Sequence, residues 1–404
     1  MYLKHISLTN FRNFARLDLD VPRRSVLLVG SNAQGKTSLL EAIYFLATFS
    51  SFQTHTDRQL VNFHAAKDPS TGQGLAVARL VADYQRGKRA HRIEVRVIVE
   101  ATGSLGVRAR KEILLDGVKR NANEAVGQFN AVLFIPQMSQ VIEGAPEDRR
   151  RYLNLVLAQA VPQYAKTLGD YQSALTQRNA LLKLVGEKGG DASQLDFWDN
   201  SLAASGAQLI AWRSQSIHEL ERLAARAHHQ LTRGKEVLRI AYDPAFDPLP
   251  RPDGQFALKL DAPADRSSLD PEAVKRGFVE ALRKLRSDEI SRGVTTIGPH
   301  RDELRFLANG INLGDYGSRG QVRTAILALK LAEVSWMKAR TGEWPVILLD
   351  EVMAELDGER RADLLSTLAQ TEQSLLTTTD LNLFTPEFTQ SAALWQVQDG
   401  KVIG

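Results

Sequence analysis

The 404-residue chain has no cysteine, which excludes disulfides and thiolate metal sites and leaves no need for an oxidising compartment. No apolar run approaches the ~18 residues that span a bilayer. The first residues lack a signal-peptide layout, so a cytoplasmic protein with no membrane partner is expected. Neither sign of charge dominates: 51 Lys and Arg against 47 Asp and Glu leave a net +4. That balance permits a nucleic-acid partner without requiring one. What is present, 43% apolar and 24% charged residues, describes an ordinary globular chain, and the length suggests two or three domains.

The stretch Gly30-Ser31-Asn32-Ala33-Gln34-Gly35-Lys36-Thr37 reads G-x-x-x-x-G-K-T. An apolar run over residues 26–29 feeds it, and a helical pattern opening at Ser38 follows it. This strand–loop–helix setting is what a phosphate-binding loop requires. Its glycines let backbone N–H groups turn inward, and the helix adds its positive end. Lys36 is expected at the β- and γ-phosphates of a nucleotide, and the Thr37 hydroxyl at Mg²⁺. A glycine-rich turn matching by chance is the alternative, and the flanking strand and helix decide against it.

Residues 3–8 and 17–21 read as paired strands around a turn at 10–14. Residues 76–84, 92–100 and 107–115 read as antiparallel strands, with basic residues 86–92 as a connection, and 131–135 as a short apolar strand. A long helical pattern runs from Pro146 to about residue 184, where Pro162 predicts a kink. A second spans about 193–231, and the two suggest a short helical hairpin. Residues 64–75 and most of 242–270 read as loop, and Asp270 opens another helix to about residue 290.

Residues 346–349 form an apolar run ending in Asp350-Glu351. In phosphate-loop proteins the first acid holds Mg²⁺ and the second orients or deprotonates the attacking water. About 310 residues separate it from the loop, too many for a compact kinase or GTPase domain. The spacing suits an ATP-binding-cassette head with an inserted helical lobe. Such a head needs a Ser-Gly-Gln loop opening a helix, and Ser318-Arg319-Gly320-Gln321 supplies one about 30 residues before Asp350. Ser318, Gly320 and Gln321 then bind the γ-phosphate of ATP on a second copy, which makes ATP part of a two-fold interface. A plain N-capped helix is the other explanation. Gln137 is either the glutamine that senses Mg²⁺ and the attacking water or an ordinary loop residue.

The expected fold is therefore α/β: a nucleotide core with an antiparallel β subdomain (1–140), a helical lobe (141–294) and a C-terminal core part (295–404). The basic clusters 86–92, 108–111, 149–151 and 283–286 make a phosphate-backbone partner plausible.

With these residues placed, the chain resembles the RecF family of bacterial recombination-mediator ATPases, related to the heads of chromosome-maintenance proteins. The likeness is carried by Leu8-Thr9-Asn10-Phe11-Arg12-Asn13-Phe14, by the Gly30–Thr37 loop and by Gly144-Ala145-Pro146 leading to Arg149-Arg150-Arg151. The most characteristic segment is Thr296-Ile297-Gly298-Pro299-His300-Arg301-Asp302. The resemblance implies a weak ATPase that dimerises on ATP, binds single-stranded, duplex or gapped DNA, and acts with RecR and RecO to load RecA in repair and the SOS response. It places Arg12 and Asn13 at the nucleotide and Asp357 across the dimer. The chain departs from the family in a loop near residue 72, an insert around 244–264, and Glu355 where alanine is usual. Thr377-Thr378-Thr379-Asp380 also lacks a switch histidine, which implies slow hydrolysis. His300 reads equally as structural or catalytic. An ATPase subunit of a transporter or a chromosome-structure complex is the alternative.

Overall fold

Apolar alternation buries Leu3, Ile6 and Leu8 completely in β1 (Tyr2–Phe11), with a bulge after Leu3 that resets the pattern. In this computed structural model, residues 1–66, 75–101, 107–249 and 265–403 are described. After β1 come β2 (Phe14–Asp20), β3 (Ser25–Val29), α1 (Lys36–Thr48) and α2 (Phe63–Ala66). Then follow β4 (Leu75–Arg86), β5 (Arg89–Ala101), β6 (Val107–Leu115), β7 (Val118–Arg120), α3 (Ala122–Ala125) and β8 (Ala131–Phe134). The next stretch holds α4 (Gln140–Glu143), α5 (Pro146–Ala160), α6 (Tyr164–Lys188), α7 (Leu195–Leu231) and β9 (Leu238–Asp243). It continues through α8 (Pro271–Arg292), β10 (Glu303–Ala308), β11 (Ile311–Asn312), α9 (Leu313–Tyr316) and α10 (Arg319–Thr341). The chain finishes with β12 (Val346–Asp350), α11 (Gly358–Leu368), β13 (Ser374–Thr378), α12 (Pro386–Ser391), β14 (Ala393–Gln398) and β15 (Lys401–Ile403).

Two compact units result: residues 1–137 with 333–404, and residues 138–332. The first unit holds two sheets. One is antiparallel, in the order β2-β1-β4-β5-β6-β7. The other runs β15-β14-β3-β13-β12-β8, parallel from β14 to β8, with β15 antiparallel at one edge. Its inner strands β12 and β13 are buried along their whole length, as continuous apolar runs in a parallel sheet require. α1 packs on β12, β8 and β4 and buries Leu39, Leu40, Ile43, Phe45 and Leu46 completely. The basic stretch 86–92 is mostly strand, because β4 and β5 pair as far as Arg86 and Arg89 around a two-residue turn.

In the second unit Pro162 breaks the long helical pattern into α5 and α6 instead of kinking it, with Gln163 left-handed at the junction. α6, α7 and α8 pack against one another, so the expected hairpin is a three-helix assembly. Strands β9 and β10 pair in a small sheet, β11-β10-β9, on either side of the proline-rich region, and neither strand is expected from the sequence. This pairing draws residues 295–332 into the helical unit, whereas the sequence grouped them with the C-terminal core part. The loops expected near residue 72 and over 244–264 lie largely outside the described residues.

The segment Thr295–Asp302 is tied into this unit by two fully buried guanidinium groups. Arg178 pairs with Asp199 and Glu289 at 2.7 Å each and donates to the Thr295 hydroxyl at 2.7 Å. Arg213 donates to Asp302 at 2.7 Å, to the Pro299 carbonyl at 2.6 Å and to Asn154 at 2.9 Å. Tyr242 adds a hydroxyl bond to Asp302 at 2.5 Å. His300 Nε2 lies 3.2 Å from the Thr295 carbonyl, an acceptor, so Nε2 carries the proton and Nδ1 accepts from the Tyr171 hydroxyl at 2.7 Å. Burial holds the His300 pKa down to about 4, so the ring is neutral and bonded on both sides. Within this unit His300 has a structural role. Arg213→Ala leaves Asp302 buried without its cation, and we expect a loss of ~3–5 kcal/mol of stability, read as a lower urea midpoint at unchanged slope.

Candidate functional site

Strands β3, β13, β12 and β8 are parallel, so their C-terminal ends share one edge of the sheet, where α/β folds bind ligands. The Gly30–Thr37 loop leaves β3, Asp350 ends β12, and Thr377 sits between them on β13. A Cβ on Gly30 would run into the Val397 carbonyl oxygen. Gly35 is left-handed at φ 116°, and a Cβ there would lie 2.6 Å from Asn13 Nδ2. Gly35 is also the N-cap of α1, with no side-chain cap, so the first N–H groups of a largely buried helix stay available to an anion.

The loop and the acidic strand end converge. Lys36, only 4% exposed, donates from Nζ to the Gly30 carbonyl at 2.5 Å and lies 3.0 Å from Glu351 Oε1. The Thr37 and Thr377 hydroxyls both donate to Asp350 Oδ1 at 2.8 Å. Thr377 Oγ1 in turn accepts from the Glu351 N–H at 2.9 Å. Glu351 itself is left-handed at φ 54°, a conformation that costs free energy in a non-glycine residue and persists where the surroundings impose it. Burial raises the Asp350 pKa; the Thr377 and Thr37 hydroxyl bonds oppose the shift, the Glu351 charge adds to it, and Lys36 opposes it.

A cavity of about 700 Å³ opens here. Residues 32–38 and Glu351 form its floor, and Arg12, Asn13, Gln53, Gln59 and residues 61–64 complete its lining. The Arg12 guanidinium is fixed by a two-pronged bond to fully buried Glu41, at 2.7 and 2.6 Å, and by the Gln59 carbonyl at 3.1 Å. Asn13 donates to the Gln34 carbonyl at 3.1 Å. Sequence reasoning missed Glu41, Gln59, Asn62 and Thr377. The donor set fits a polyphosphate with Mg²⁺, because Thr37 and Asp350 together could supply the single hydroxyl and single carboxylate that such an ion takes beside phosphate and water. The floor of glycine and backbone N–H groups leaves room for the phosphates.

Gln137 is exposed in the turn that follows β8, and it does not line the cavity. Asp357 caps α11 by accepting the Arg360 N–H at 2.9 Å. Ser318, Gly320 and Gln321 lie in the second unit, where Ser318 and Gln321 cap α10 reciprocally: Gln321 N donates to Ser318 Oγ at 3.3 Å, and Ser318 N to Gln321 Oε1 at 3.0 Å. Each basic cluster contains arginines paired with carboxylates inside their own unit: Arg92 with Asp83, Arg110 with Glu112, Arg149 with Glu303, and Arg286 with Asp196 and Asp199.

A phosphate loop, a strand-end Asp-Glu pair on a parallel sheet, an antiparallel β subdomain and an inserted helical unit define an ABC-type ATPase head. The model of the RecF/RecN/SMC N terminal domain matches residues 2–401. A protein of Chloroflexus aurantiacus described as DNA replication and repair protein RecF is 40% identical over all of this chain and 99% of its own. One of the same description from Exiguobacterium sp. is 34% identical over the same shares. A solved structure of "the recombination mediator protein RecF-ATPrS in RecFOR pathway" superposes with a TM-score of 0.79 at 28% identity, covering 99% of this chain and 97% of that one. Its RecF-ATP counterpart gives 0.79 at 27%, covering 100% and 98%. The chain belongs to the RecF family. No helix among the described residues is long and apolar enough to cross a membrane.

The raised Asp350 pKa has a defined sign. The folded state holds this proton more tightly than the unfolded chain, so the group's contribution to stability is fully present below the ordinary aspartate pKa and is lost as pH rises through the raised value. Thr377→Val removes a donor to the ionised form. We expect Asp350 to titrate higher still in that variant, followed by carboxyl carbon-13 chemical shifts.

Proposed function

We propose that this chain is an ATP-operated, DNA-binding switch of recombinational repair, with Lys36, Thr37, Asp350 and Glu351 as its reaction centre. The carrying observation is the meeting of the loop and the strand end: Thr37 with Asp350 at 2.8 Å and Lys36 with Glu351 at 3.0 Å, at the floor of one cavity. The relatives' names as repair proteins and the ATP-bound structural neighbours support the choice of ligand.

In this reading Gly30, Ser31, Asn32, Ala33, Gln34, Gly35, Lys36, Thr37 and Ser38 cradle the phosphates, and Arg12 and Asn13 contact the nucleotide. Thr37 and Asp350 would hold Mg²⁺, which when bound would neutralise charge developing on the phosphates, and Gln137, outside the cavity here, would join them only with an inward movement of the turn after β8. Glu351 orients or deprotonates the water that attacks the γ-phosphorus, and Lys36 and Gln137 assist. Lys36 must exchange Glu351 for phosphate, which frees Glu351 for that water. Residues 1–137 with 333–404 supply the phosphate loop and the strand-end acids, and the helical unit, residues 138–332, carries the signature segment. Ser318, Gly320 and Gln321 close on the ATP of a second copy, so ATP builds a homodimer and slow hydrolysis releases it. The dimer binds DNA in the cytoplasm and, with RecR and RecO, favours RecA loading on gapped DNA, replication maintenance and SOS induction.

Glu351→Gln should bind ATP normally and lose turnover by ~10²-fold or more in a phosphate-release assay. Ser318→Arg should bind ATP as a monomer and fail to dimerise by sedimentation; normal dimers would refute the role across the interface. Affinity for gapped, duplex and single-stranded DNA, measured with ATP at two salt concentrations, should fall by ~10³ or more over a fourfold rise in salt. A salt-independent affinity would remove DNA as the partner.

A further inference from the structure

The reciprocal cap at Ser318 is held by a residue outside the motif. Gln321 uses both ends of its amide. Oε1 accepts the Ser318 N–H at 3.0 Å, and Nε2 donates to Glu236 Oε1 at 2.8 Å. Glu236 lies in the connection between α7 and β9, its side chain 20% exposed, with Oε2 3.6 Å from Nε2 of fully buried His228. A carboxylate only accepts hydrogen bonds. With the Gln321 amide reversed, two acceptors would face each other at Glu236 and two donors at Ser318. Glu236 therefore selects one of two near-isosteric orientations. With that orientation set, Ser318 Oγ accepts the Gln321 N–H at 3.3 Å, which engages a lone pair and leaves the hydroxyl proton to donate elsewhere.

We propose that Glu236 is a positioning residue for the signature loop: it orients the Gln321 amide and thereby presents the Ser318 hydroxyl to the γ-phosphate bound by the second copy. The inference rests on the role of Ser318 across the dimer proposed above. It adds a residue some 80 positions upstream that touches neither nucleotide nor phosphate. Its carboxylate acts through one hydrogen bond and one amide, so its loss weakens dimer formation and leaves nucleotide capture by the single copy intact.

The test uses the full chain with Mg²⁺ and a slowly hydrolysed ATP analogue. Sedimentation reads the protein concentration at half-dimerisation, and a fluorescent analogue at high dilution reads monomer affinity. Glu236→Ala should raise the half-dimerisation concentration about tenfold, as the loss of a charge-assisted hydrogen bond does, with monomer affinity within about twofold. Glu236→Gln, whose amide oxygen can still accept from Gln321 Nε2, should recover most of the loss. In a Gln321→Ala background Glu236→Ala should add nothing, because the two act in series. Normal dimers of Glu236→Ala beside monomeric Ser318→Arg overturn the positioning role and leave the dimer reading standing. Normal dimers of both overturn the two together. Equal losses from Glu236→Gln and Glu236→Ala, or a matching loss of monomer affinity, would mark general damage and also overturn it.

Discussion

One buried carboxylate sets the terms for the nucleotide core. Asp350 ends a strand buried along its whole length, and two threonine hydroxyls share one of its oxygens. Each hydroxyl comes from a different parallel strand or its loop, so the bonds join the loop after β3, the end of β12 and the end of β13 into one rigid edge. The same burial that raises the Asp350 pKa makes its ionised form a strong attractor of a cation. Rigidity and reactivity thus share one origin. A core built for stability alone would place an apolar residue at this position.

The helical unit solves a related problem with opposite intent. Arg178 and Arg213 are buried with acidic partners, and between them they bond the Thr295 hydroxyl, the Pro299 carbonyl and the Asp302 carboxylate of the Thr295–Asp302 segment. Thr296 donates to Glu289 from both backbone and hydroxyl, at 2.6 and 2.8 Å. Buried ion pairs of this kind add little net stability over apolar packing, but a missing partner is costly. They therefore specify one arrangement of a connection between α8 and β10 whose regular structure is a single helical turn, Pro299–Arg301. That accounts for the dense run of distinctive residues, and it resolves His300: a neutral ring bonded on both sides is a brace.

How much of this was legible in the sequence follows from where each partner lies. The phosphate loop and the Asp-Glu strand end are local chemistry, and residue order alone conveys them. Glu41 is not legible, because on paper it is one acid inside an apolar helix; only the fold turns it toward Arg12. Thr377 reads as the place where a histidine is missing, while in three dimensions it is the donor that holds Asp350 and the Glu351 N–H. The basic runs looked available to phosphates because most of their carboxylates come from other elements: a neighbouring strand for Arg92, β10 for Arg149 and α7 for Arg286. Arg92 sits directly across from Asp83 in the β4–β5 register, a pairing that no linear reading contains. Strands β9 and β10 escaped because each is six residues long and their partners are about 60 positions apart.

The charge inventory of the cavity implies an order of events. Arg12 is committed to Glu41 and Lys36 to Glu351, while Asp350 is held by hydroxyls and not by a cation. Two cations therefore face three carboxylates, and a polyphosphate entering alone would add negative charge to a site that already has a surplus. On the proposed reading, a divalent cation held at Asp350 would reverse that sign, because of the three carboxylates Asp350 is the one bonded by hydroxyls and not by a cation, and the attraction would offset the cost of ionising a buried acid. In the same reading, phosphate oxygens at Lys36 would compete with its bond to Glu351, and Glu351 would be released only after the nucleotide is seated. A base at that position would thus be withheld until its substrate is in place, a consequence of charge balance at distances near 3 Å that requires no moving lid.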